Sequence, residues 1–83
     1  MNKGVELATN ILYGYFIIKA LADRFSIVCC DGKNVNIIYE SQDNFFQTDD
    51  TLKGLYLYLA EDGLRLRNNG SGGVYNVKLW AFT

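Results

Sequence analysis

The strongest constraint on the fold lies in residues 54–67, GLYLYLAEDGLRLR, where leucine alternates with tyrosine, a turn signal intervenes, and leucine then alternates with arginine. A period of two belongs to a strand with one buried face, so both arms read as strands. A loop Ala60-Glu61-Asp62-Gly63, with glycine supplying the left-handed last position, pairs Leu59 with Leu64 and Leu57 with Leu66. Tyr58 then opposes Arg65 and Tyr56 opposes Arg67, so the leucines share one face and each tyrosine meets an arginine on the other. The competing reading is a helix over Thr51–Ala60, with Leu52, Leu55 and Leu59 on one face, Asp49 or Asp50 as N-cap and Gly63 just past the end. Leucine's intrinsic helix preference keeps that alternative open.

A second hairpin is signalled by FSIVCCDGKNVNIIYE, two β-rich runs around Asp31-Gly32. A two-residue turn pairs Cys30 with Lys33, whereas a four-residue loop ending at Asn34 pairs Cys30 with Val35. Either register spreads Ile27, Val28, Val35, Ile37 and Ile38 over two faces, which places these strands centrally. The last run, VYNVKLWAFT, puts Tyr75, Val77, Leu79 and Ala81 on one face and Asn76, Lys78, Trp80 and Phe82 on the other. NNGSGG before it reads as a flexible hinge.

Residues 4–24 read as a helix instead. Leu7, Ile11, Gly14, Ile18, Leu21, Ala22 and Phe25 fall on one stripe at helical spacing. Leu12, Tyr13, Phe16 and Ile17 lie outside the stripe, so the helix is apolar nearly all round and is expected to be covered on two sides, by the domain's own loops or by a homodimer or partner contact through Tyr13, Phe16 and Ile17. The expected architecture is α+β: one N-terminal helix packed on an antiparallel sheet of about five strands built from hairpins. The alternative order is α-β-β-α-β-β, with residues 50–61 helical.

The 83 residues bound the chain to one small domain whose core buries only roughly 60–65% of its unfolded surface. With 49% apolar and 14% aromatic residues, apolar surface is expected beyond what one such core can hide. The net charge of −1 divides unevenly: residues 1–52 hold four cations against seven acids, net −3, and residues 53–83 hold four against two, net +2. That polarity suits a protein partner of mixed charge better than duplex nucleic acid, whose binders are strongly basic.

Little in the chain carries catalysis. There is no histidine, the commonest general base and neutral metal ligand. Cys29 and Cys30 are adjacent, so in a strand they point to opposite faces and cannot form a C-x-x-C pair or a bridge. Free, buried thiols favour a reducing compartment, hence the cytosol. NNGSGG imitates a phosphate cradle but lacks the following lysine and helix. No enzyme, metal or cofactor is expected. Lys3, ILYGYFII and Ala20-Leu21-Ala22 imitate a secretion signal, against which Glu6 and Lys19 argue; the eight-residue run is also too short to span a bilayer, which takes about 20.

Protein binding is therefore the expected function. If the last strand pairs beside Leu64–Arg67, one sheet face collects Tyr56, Tyr58, Arg65, Arg67, Lys78 and Trp80, the residue types that dominate protein-binding hot spots. The acidic segment SQDNFFQTDD adds Asp43, Phe45, Phe46, Asp49 and Asp50, either as a plug over the core or as a second contact for a basic rim. In general profile the chain, short, acidic, free of histidine and proline and rich in aromatics and asparagine, resembles small inhibitors encoded by phages and mobile elements, anti-CRISPR proteins among them. That resemblance implies steric blocking of a larger protein or complex. The alternatives are a single-stranded nucleic-acid binder stacking bases on the same aromatic and basic face, and a homodimeric structural module.

Overall fold

The computed structural model describes residues 1–21, 23–70 and 75–83, and these form two four-stranded sheets with no helix among them. The first sheet is ordered β1-β7-β6-β5, with β1 Glu6–Ala8, β5 Phe46–Gln47, β6 Leu55–Ala60 and β7 Gly63–Asn68. The second is β4-β3-β2-β8, with β2 Tyr13–Leu21, β3 Arg24–Asp31, β4 Val35–Glu40 and β8 Lys78–Phe82. All neighbours are antiparallel except β5 and β6, which run parallel.

This overturns the N-terminal helix, and the α+β class with it. Tyr13–Leu21 is a central strand whose Phe16, Ile18 and Ala20 are fully buried while Tyr13, Tyr15 and Lys19 are exposed. The all-round apolar character of this stretch is that of a strand with two apolar faces. Aromatic and β-branched residues fit a pleated surface better than a helix, and Gly14 inside a helix would cost about 1 kcal/mol. Here Gly14 lies at φ 124°, and a Cβ on it would meet the Phe82 carbonyl oxygen at 2.6 Å. Ala22, part of the expected helical stripe, lies outside the described residues. The helical alternative for residues 50–61 fails as well, because Leu55–Ala60 is strand.

Both hairpins form. The β6–β7 pairing sets Leu57 against Leu66, Leu59 against Leu64, Tyr58 against Arg65 and Tyr56 against Arg67. Gly63, at φ 134°, leaves no room for a side chain against the Ile11 backbone, which accepts the Leu64 N–H at 2.9 Å. In the β3–β4 hairpin Cys30 pairs with Val35, the longer-loop register. The Asp31 carboxylate holds that loop by accepting the N–H groups of Lys33 at 2.9 Å and Asn34 at 2.7 Å.

The expected partner of the last strand is wrong. The β7 edge is taken by β1, pairing Glu6 with Arg67 and Ala8 with Arg65, and β8 instead pairs with β2, Ile17 against Trp80. The core lies between the sheets: Phe16, Ile18, Val28 and Cys30 from one, Leu55, Leu57, Leu64 and Leu66 from the other. Phe45 and Phe46 close it, both buried and packed edge to face at 5.1 Å. Residues 71–74, within the expected hinge, lie outside the described residues.

Candidate functional site

The outward face of the β6–β7 hairpin carries Tyr56, Tyr58, Arg65 and Arg67, all half-buried. The two tyrosine rings stack at 5.1 Å and 13°, and the Arg67 guanidinium lies 5.0 Å from the Tyr56 ring centroid. The Tyr58 hydroxyl donates to Glu6 Oε1 at 2.7 Å, and Arg65 donates to Glu6 Oε2 at 3.1 Å and to Asp62 at 2.8 Å. Arg67 Nε donates to the Asn69 side-chain carbonyl at 3.0 Å. The hydrogen bond from Tyr58 holds the Glu6 carboxyl below its ordinary range; burial opposes it, and the hydrogen bond and charge of Arg65 add to the lowering. This face is therefore braced by its own partners.

Lys78 and Trp80 are not on it. Both belong to β8, on the outward side of the other sheet, so the six residues expected to converge are divided between two sheets. The acidic segment divides too. Asp43, Asp49 and Asp50 are exposed, whereas Phe45 and Phe46 are buried in the core and are not a free anchor. Asp49 is engaged by Thr51, whose N–H and hydroxyl donate to its carboxylate at 2.9 and 2.7 Å. Of Tyr13, Phe16 and Ile17, proposed to share a dimer face, Phe16 points into the core and the other two point outward with Tyr15.

That outward side of the β4-β3-β2-β8 sheet is where the unpaired apolar surface gathers. Cross-strand pairs align Tyr15 with Cys29 and Phe82, and Ile17 with Ile27 and Trp80. Tyr39 lies beside Ile27, and its ring meets that of Phe25 at 5.6 Å. Tyr15, Trp80 and Phe82 keep 54%, 48% and 56% of their surface in solvent, so three large rings on adjacent strands stand open together. Charge flanks the patch unequally: Lys19 pairs with Lys78 and Phe25 at one end, and Asp31 pairs with Tyr13 at the other.

Tyr15, Phe25, Tyr39 and Phe82 are the contributors that sequence reading did not assemble. The alternation Tyr13, Tyr15, Ile17, Lys19 was present in the chain, but its neighbours on β3 and β8 are fixed only by sheet order. Two shallow depressions indent the surface, one of about 240 Å³ lined by Arg24, Asp43, Phe45, Lys53 and Tyr75 and one of about 410 Å³ lined by Ala60, Glu61, Asp62 and Arg65; both carry charge of mixed sign rather than the mostly apolar walls of a small-molecule site. Burial pushes the Cys30 thiol up to about 11, which removes it as a thiolate nucleophile at neutral pH. Among the described residues no helix is long and apolar enough to cross a membrane, and no group of three Cys, Asp or Glu residues is placed to hold a metal. Neither protein-family models nor curated proteins nor solved structures match this chain.

Proposed function

We propose that this chain is a non-enzymatic protein-binding module that acts by occupying a surface of another protein, and that it does so with the outward face of the β4-β3-β2-β8 sheet. The observation that carries the reading is the open cluster of Tyr15, Trp80 and Phe82 over Ile17 and Ile27, a contiguous apolar patch flanked by charge. The Tyr56–Arg67 face supports a structural role, because its polar groups are already paired. Steric blocking of a larger protein, in the manner of the small phage and mobile-element inhibitors whose general profile the chain shares, is the mode of action this reading implies. Two free cysteines, one on each side of a strand, fit a cytoplasmic setting.

Affinity capture of the tagged chain from its native lysate, with and without nuclease, tests the reading. One protein retained in stoichiometric amount after nuclease, and lost with Trp80→Glu, is the expected result. Capture that disappears with nuclease transfers the face to single-stranded nucleic acid; capture indifferent to Trp80→Glu removes the face.

A further inference from the structure

We propose that, while no other partner occupies it, this face is covered by a second copy of the chain, docked sheet to sheet about a two-fold axis that lies in the interface and runs across the strands. The proposal rests on the reading of this face as the protein-binding surface and names its occupant.

Size is the first argument. Four strands about 4.8 Å apart, with outward residues about 6.8 Å apart along each, outline roughly 500 Å² before side-chain relief is counted. Two such faces together bury roughly 1,000 Å², the lower bound for a specific protein–protein interface. A face of this extent suits another flat sheet, packed about 10 Å away with its strands within about 30°.

The second argument is self-complementarity. The outward residues form rows across the sheet: Asp31 and Tyr13; then Cys29, Tyr15 and Phe82; then Ile27, Ile17 and Trp80; then Phe25, Lys19 and Lys78. A two-fold axis between the two middle rows inverts their order while keeping each strand over its own copy. Trp80 then lies on Phe82 of the other molecule, and Ile17 on Tyr15. Each contact occurs twice, as a closed isologous interface requires.

Charge gives the third argument and fixes the direction. The same rotation places Lys19 over Tyr13 and Phe25 over Asp31 of the partner, so the row of Lys19 and Lys78 is kept away from its own copy and lies at the end that carries Asp31. An axis running along the strands would keep the row of Lys19 and Lys78 over the same row of the partner and gather four cations at one end. A lipid surface or a nucleic acid has no use for Asp31 at one end of the face, and the chain's net charge of −1 opposes both.

The test uses the purified chain. Light scattering across micromolar concentrations is expected to give twice the 9.4 kDa chain mass. Trp80→Glu and Ile17→Glu are each expected to weaken the dimer roughly 30-fold or more, with far-UV circular dichroism unchanged. Trp80 is the sole tryptophan, so the wild-type protein supplies a second readout: its emission shifts to the blue as concentration rises through the dimer constant. A monomeric mass with constant Trp80 emission overturns the dimer and leaves the lysate capture to decide the protein-binding reading. A dimer that both variants leave intact places the contact on another surface and overturns the proposal. So does a monomer whose emission shifts only with phosphatidylserine vesicles, which would make the occupant a lipid surface.

Discussion

The Tyr58 hydroxyl donates to Oε1 of Glu6 at 2.7 Å, across 52 residues of chain. Through that bond, and through Arg65 on the other carboxylate oxygen, the short strand β1 covers the open edge of the β6–β7 hairpin. A three-residue strand makes few backbone bonds, so a side-chain clasp of this kind decides whether it stays docked.

Glu6→Gln keeps an acceptor for Tyr58 but loses the charge that Arg65 meets. The half-exposed setting limits the cost to about 0.5–1 kcal/mol at pH 7, measured by urea unfolding. The pH dependence has a definite sign. The folded-state pKa of Glu6 is depressed, so its contribution is complete above the ordinary value of 4.5 and is lost as pH falls through the lower folded value. Wild type and Glu6→Gln should therefore converge in stability towards pH 3, and a gap that stays constant would show that the charge contributes nothing.

The strand assignment of residues 13–21 makes neighbouring aromatics behave oppositely. Phe16→Ala opens a cavity in the core and should cost about 3–5 kcal/mol, whereas Tyr15→Ala, read below the dimer constant, should cost the monomer less than about 1 kcal/mol. Chemical unfolding of the two variants checks it, and equal costs would refute the alternation.

Gly63→Ala adds a methyl group against the Ile11 backbone at a positive φ that L residues avoid. The expected loss is about 2–4 kcal/mol, since neither backbone can yield without breaking the Leu64–Ile11 hydrogen bond. A thermal melt reads it directly.

Thiol chemistry should separate the adjacent cysteines. In the native protein Cys30 faces the core and its thiolate is suppressed, so alkylation at pH 8 should reach it only on unfolding. Cys29, half-buried on the outward face, should react in the native monomer and slow as protein concentration rises towards the dimer. Mass mapping of the labelled peptides gives both rates.

By itself the sequence determined the two hairpins. Leu57 over Leu66 and Tyr58 over Arg65 follow from a period of two interrupted by one turn, and Asp31-Gly32 marks its turn by its own chemistry. The alternation of Lys78, Leu79 and Trp80 was legible for the same reason, as was the separation of Cys29 from Cys30. Only the tertiary structure decided that Tyr13–Leu21 is a strand. Its apolar residues occupy both faces, and a segment apolar on every side has no clear period to tell helix from strand. Only the tertiary structure decided, too, that β8 joins β2 and leaves the β7 edge to Glu6–Ala8. Pairing between distant strands carries no turn to announce it and is settled by which arrangement buries the leucines of one sheet against Phe16 and Ile18 of the other. That choice moved Trp80 away from Arg65 and set it beside Tyr15, Ile17 and Phe82, where the open surface of this protein lies.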